Sequence, residues 1–184
     1  MYFKRVLDGA ERMIDLIKDV LAYSQVGRGQ GDKQEKVELE EAVGSAIENL
    51  AERIREAGAR ITVNPLPLVQ GDFAQLSSLF QNLISNSIKY RREGTTLCVE
   101  ISAERISESE WTIHVRDNGI GIDPRYHDQI FVPFKRLHGR NIPGTGIGLA
   151  VCKRIVEIHH GRIWVNSEAD RGARFSLTLL AASY

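Results

Sequence analysis

The sequence predicts an α/β two-layer sandwich, with helices covering one face of a mixed sheet and one long helix standing in front of it. Three observations carry this. Helical and strand periodicities alternate along most of the chain, two adjacent pairs of strands occur within it, and a glycine-rich polar break separates the first helix from everything after it. The chain has 184 residues, enough for one well-buried core and a helical appendage.

The first helix is read from Val6, Ala10, Met13, Ile17, Val20 and Ser24, which alternate steps of four and three, with Leu7, Ile14 and Leu21 flanking them. This is a heptad stripe seeking a partner. Gly27-Arg28-Gly29-Gln30-Gly31-Asp32-Lys33-Gln34 has no apolar residue and reads as a flexible connection. The expected division is therefore 1–26 helix, 27–36 linker and 37–184 globular domain. A second helix is expected from Glu38 to Ala57, with Gly58 as its stop. Ile61 and Val63 suggest a short strand ended by Asn64-Pro65-Leu66-Pro67. A third helix begins after the N-cap Asp72 and runs to about Tyr90. Strands follow near 97–103 and 111–117, a fourth helix over 147–160, and two last strands near 162–167 and 174–180. The stretch 121–144 keeps no period for long, which in a compact domain marks a functional or a disordered loop.

Lys plus Arg and Asp plus Glu are equal at 24 each, so net charge gives no reason to expect a nucleic acid or an anionic membrane as partner. No apolar stretch approaches the ~18 residues of a membrane span, and the first residues lack a signal-peptide core. Cys98 and Cys152 sit in apolar runs without metal-ligand spacing, which suits buried thiols in a reducing, cytoplasmic compartment.

Three polar features point to one ligand. Asn82, Asn86 and Lys89 fall in a narrow sector of the third helix, opposite Leu76, Leu79, Phe80, Leu83, Ile84 and Ile88. Carboxamide oxygens suit Mg²⁺, and an ammonium suits a phosphate. Asp117-Asn118-Gly119-Ile120-Gly121 follows a strand, but no return strand begins at Ile122-Asp123-Pro124, which weakens a hairpin reading. A carboxylate there can accept an exocyclic amine, and glycines let a flat base approach. Gly144-Thr145-Gly146-Ile147-Gly148-Leu149 opens a helix whose unpaired N–H groups favour a phosphate. Neither a preceding strand nor a Lys-Ser/Thr pair accompanies it, so the Rossmann and Walker patterns both fail.

These segments resemble, in order, the N, G1, F and G2 boxes of sensor histidine kinases: 80–90, Asp117 to Gly121, Ile130-Phe131-Val132-Pro133-Phe134, and Gly144 to Leu149. Phe134-Lys135-Arg136-Leu137-His138 and Gly161-Arg162-Ile163-Trp164-Val165 are most similar to the subgroup attached to phytochrome and PAS sensors. The resemblance implies the Bergerat ATP-binding sandwich, with ATP and Mg²⁺ as cofactors. It implies Asn86 as the metal ligand, Asn82 and Lys89 in catalysis, and Asn82, Lys89 and Tyr90 along the nucleotide. Asp117 would read adenine beside Gly119, Gly121 and Ile122. Gly144, Thr145, Gly146, Gly148, Leu149 and Phe134 would complete the site. Residues 123–143 would form a mobile lid, with Phe131 and Phe134 docking only once the site is filled. A histidine-bearing dimerisation helix and a response-regulator receiver domain are the implied partners, in a homodimer.

The resemblance has gaps. None of His114, His127, His138, His159 and His160 begins the family's phosphoacceptor pattern, and residues 8–24 resemble the second helix of the dimerisation hairpin. Gly172-Ala173-Arg174-Phe175 replaces a motif with small hydroxyl residues. Hydrolytic relatives such as gyrase and the heat-shock ATPases place a glutamate where this chain has Asn82, which cannot take a proton at neutral pH. Transfer to a protein is therefore expected over hydrolysis. A nucleotide-binding scaffold and a serine-kinase anti-sigma factor are the alternatives.

Overall fold

A computed structural model describes residues 35–137, 142 and 144–182, with positions 13, 14, 16, 17, 20, 21, 23 and 24 of the N-terminal segment. Those N-terminal positions are helical, and Met13, Ile14, Ile17, Val20 and Leu21 are exposed. The remaining positions of the heptad stripe, the glycine-rich break, His138, Asn141 and Pro143 lie outside the described residues. Among the described residues no helix is long and apolar enough to cross a membrane.

The five-stranded sheet has the order β2-β4-β5-β7-β6, built from β2 (Arg60–Val63), β4 (Cys98–Arg105), β5 (Glu110–Asp117), β7 (Ala173–Leu180) and β6 (Ile163–Ser167). β2 runs parallel to β4 and every other neighbour is antiparallel. Alternation sends Val99, Ile101, Ile113, Val115, Val165, Phe175, Leu177 and Leu179 to one face, where all are buried. On that face lie α1 (Leu39–Asn49), α3 (Phe73–Lys89) and α4 (Gly148–Ile158). Leu39, Ala42, Val43 and Ala46 repeat at helical spacing and pack α1 against α3 without any exposure. The sulfhydryl of Cys152 reaches Leu79 O at 3.7 Å, tying α4 to α3, and burial pushes that thiol far above its ordinary value.

The structure differs from the expected elements at four places. The single helix over 38–57 is two, because the backbone leaves helical geometry at Leu50 before α2 (Ala51–Ala57). A two-stranded antiparallel sheet, β1 (Glu35–Glu38) with β3 (Leu68–Gly71), lies where a linker end and a loop were read. Both strands are four residues long, too short for a period to stand out. Cys98 is exposed rather than buried, since it opens β4 facing away from the helices. Ile130 and Phe131 already sit in the core, so Phe131 is not waiting for a ligand to dock.

Asp72 caps α3 by accepting from the Gln75 N–H at 2.9 Å. Its own N–H donates to His159 Nε2 at 3.0 Å, while His159 Nδ1 lies 2.8 Å from Ile155 O. The ring is therefore neutral with its proton on Nδ1, joining the start of α3 to the end of α4. Burial lowers the His159 pKa, with the Ile155 carbonyl opposing that effect. Stability from this contact should be intact above the unfolded value of about 6.5 and lost as pH falls through the lower folded value. Denaturant midpoints at pH 5 and pH 7 should differ less in His159→Gln than in the parent chain; equal differences would exclude this residue as the cause.

Candidate functional site

α3 and the central strand β5 end side by side, and that meeting builds the site. Asp117, the last residue of β5, accepts at Oδ1 from the Gly119 N–H at 2.8 Å and from the Ala173 N–H at 3.2 Å. Ser87 Oγ on α3 lies 3.1 Å from Oδ2. A carboxylate has about four acceptor positions, so these three donors fix its plane and leave acceptor capacity on Oδ2. Burial raises the Asp117 pKa, and the two backbone N–H groups and the hydroxyl act against it.

The loop after Asp117 is stapled on both sides. Ile120 N–H donates to Tyr90 O at 3.0 Å, Asp170 N–H donates to Ile120 O at 2.7 Å, and Ile122 N–H donates to Ser167 Oγ at 2.8 Å. Arg92 joins the two segments by donating to the carbonyls of Gly119 and Asp170. Gly121 has φ +72°, and a Cβ there would overlap Glu168 O, so both conformation and space demand glycine.

On the polar sector of α3, Asn82 Nδ2 donates to Ser78 O at 2.9 Å, which turns Oδ1 toward Gly148 at the start of α4. Lys89 Nζ lies against Gly144, where a Cβ would overlap it, and 4.8 Å from the centroid of the Tyr90 ring. Burial raises the Tyr90 pKa, while the Arg136 guanidinium lowers it, so the phenol remains a donor at neutral pH. A cavity of about 860 Å³ opens between these elements. Asn82, Asn86, Lys89, Tyr90, Asp117, Gly121, Ile122, Gly144, Thr145, Gly146, Gly148 and Leu149 all line it.

Residues 71–183 match the family described as Histidine kinase-, DNA gyrase B-, and HSP90-like ATPase. The chain belongs to this family. It is the ATP-binding catalytic domain of the sensor histidine kinase type. It is 51% identical over 174 residues to cyanobacterial phytochrome A of Nostoc sp., covering 94% of this chain and 22% of that protein. It is 34% identical to the methanogenesis regulatory histidine kinase FilI of Methanothrix harundinacea, covering 91% of this chain and 19% of that protein. The chain thus spans about a fifth of the length of these relatives. The mycobacterial sensor histidine kinase MprB superposes with a TM-score of 0.70 at 25% identity, covering 82% of this chain and 99% of that one.

Two expected residues of this histidine kinase-type domain stand off the cavity. Gly119 acts through its N–H on Asp117, and its carbonyl faces Arg92. Phe134 is 60% exposed at φ +64° and meets the glycine segment through its backbone, its N–H donating to Gly146 O at 3.0 Å and its carbonyl carbon lying where a Cβ on Gly146 would crowd it. Several cavity residues escaped sequence reading. Ser87 was detectable as a hydroxyl within the buried register Leu83, Ile84, Ile88 of α3. Ala173 and Phe175, legible in the sequence only as part of a degraded motif, reach the cavity through the pairing of β5 with β7. Arg53 reaches in from α2 to donate to Ser85 Oγ at 2.9 Å, a contact that no local pattern marks.

Proposed function

We propose that this domain binds Mg²⁺-ATP in the 860 Å³ cavity and presents the γ-phosphate to a histidine on a dimerisation helix, for relay to a response-regulator receiver domain. The observation that carries the reading is Asp117: three internal donors hold its carboxylate with acceptor capacity left over at the cavity wall. That remaining capacity takes the exocyclic amine of adenine, with Ile122 and Phe175 beside it as apolar walls.

Lys89, Thr145 and the backbone N–H groups around Gly146 and Gly148 meet the phosphates at the other end. Among the described residues no group of three or more His, Cys, Asp or Glu could hold a metal. That fits Mg²⁺, which is held by few protein atoms and mostly by water and phosphate oxygens; the Asn86 amide oxygen is the protein ligand. Bound there, the ion would offset charge on the transferred phosphoryl group. Asn82 sets the position of Gly148 and supplies no base for water, so the acceptor is a protein side chain.

The exposed apolar stripe Met13, Ile14, Ile17, Val20 and Leu21 supports the same reading, as half of a hairpin that pairs in a homodimer. On it rest the divisions 1–26, 27–36 and 37–184, with β1 already beginning at Glu35, and a cytoplasmic setting.

Asp117→Asn should weaken ATP binding by roughly 1–3 kcal/mol, because a donor then faces the donor amine of adenine. The parent chain should also prefer ATP to GTP. Calorimetric titration checks both, and equal affinities for the two nucleotides would remove the adenine-reading role.

A further inference from the structure

We propose that the outer face of the sheet carries a second ligand site, adjoining the ATP cavity across Asp117 and Ala173, at which Arg116 and Arg174 bind a phosphate-bearing small molecule. Even-numbered residues of β5 and β7 point away from the helices, and the register sets Glu100, Arg116, Arg174 and Asn166 in one cross-strand row. Arg116 and Arg174 are thus direct neighbours on an exposed surface, an arrangement that repels. Nothing within the described chain relieves it. The carboxylate in the row, Glu100, accepts from Asn64 Nδ2 at 3.1 Å, and among the described residues neither guanidinium is within ion-pair distance of a carboxylate.

The same two arginines line an open concavity of about 530 Å³ together with Gly172, Ala173, Pro124 and His127. Two carboxylates also line it, and both are engaged: Glu168 with Arg171 at 3.3 Å, and Asp117 with the Gly119 and Ala173 N–H groups and Ser87. His127 Nε2 lies 3.4 Å from Ile122 O.

The chemistry selects the ligand. Two arginines whose Cβ atoms stand at cross-strand spacing, about 5 Å, each present paired N–H donors that match the oxygens of a phosphate. With Glu168 paired to Arg171 and Asp117 held by its own donors, a phosphate dianion balances the charges of Arg116 and Arg174, whereas one carboxylate leaves a cation uncompensated. The concavity is open to solvent, but its volume falls within the small-ligand range, which favours a small molecule over an extended acidic segment.

The test uses the full chain with its ATP cavity saturated by a non-hydrolysable analogue, and inorganic phosphate as probe. The side-chain Nε–H resonances of Arg116 and Arg174 should shift saturably with phosphate and not with chloride of matched ionic strength. In the double variant Arg116→Ala, Arg174→Ala, phosphate should no longer raise the melting temperature, while affinity for the analogue stays within twofold of the parent. A linear, chloride-matched shift, or phosphate stabilisation retained in the double variant, would overturn the site. A saturable shift with polyglutamate but not with phosphate would overturn its ligand class.

Discussion

In Asn86→Ala, Mg²⁺-dependent ATP binding should fall by about 100-fold or more, equivalent to roughly 3 kcal/mol. Asn86 lines the cavity on the same sector of α3 as Asn82 and Lys89, and among the described residues no carboxylate cluster could hold the metal in its place. Truncation to alanine removes the amide oxygen while keeping a good helix former, so α3 should persist. The measurement is calorimetric titration with Mg²⁺ and again with chelator, beside thermal unfolding to confirm the fold. Affinity equal to the parent in Mg²⁺ would remove Asn86 as the ligand.

The second large effect is all or none. This 184-residue polypeptide should bind ATP yet acquire no acid-labile phosphohistidine. His159 has both ring nitrogens engaged between α3 and α4, and His114 Nδ1 lies 2.9 Å from Ser176 Oγ on the outer face of the sheet. His127 is partly buried against Ile122, and His160 lies just past the end of α4. None of these lines the nucleotide cavity. Supplying in trans a dimerisation hairpin that bears the family's acceptor histidine should restore label transfer from γ-labelled ATP, because phosphoryl transfer needs positioning above all. Label on the isolated chain would show that the acceptor or the enzyme class is misread.

The parts of this molecule that the sequence made legible are those held by neighbours in the chain. The N-cap at Asp72, the polar sector of α3 and the glycine segment before α4 each depend on contacts a few residues apart, and periodicity exposes them. Gly58, at φ +59° with open space around its missing side chain, was readable as a stop for conformational reasons alone. What stayed hidden is non-local. β1 and β3 are brief strands that exist because they pair with each other. Phe131 is buried because η-type turns at Pro124–Tyr126 and Gln129–Phe131 fold the lid base against α4, which a search for long periods does not reveal. Ser87 reads as one more helix residue until β5 places Asp117 across from it.

The Ala173 N–H that fixes Asp117 belongs to a residue 56 positions further along the chain. During synthesis the carboxylate of Asp117 therefore lacks one of its three donors until β7 has emerged and paired with β5, so under the proposed adenine-reading role nucleotide recognition would report that this strand is in place. The linkage runs in reverse as well. ATP held at a hundredfold excess over its dissociation constant stabilises the native state by about 2.7 kcal/mol, and if Asp117 contacts the nucleotide, part of that stabilisation falls on the β5–β7 seam. A chain ending before Ala173 would keep the Gly119 and Ser87 donors to Asp117 but lose that share.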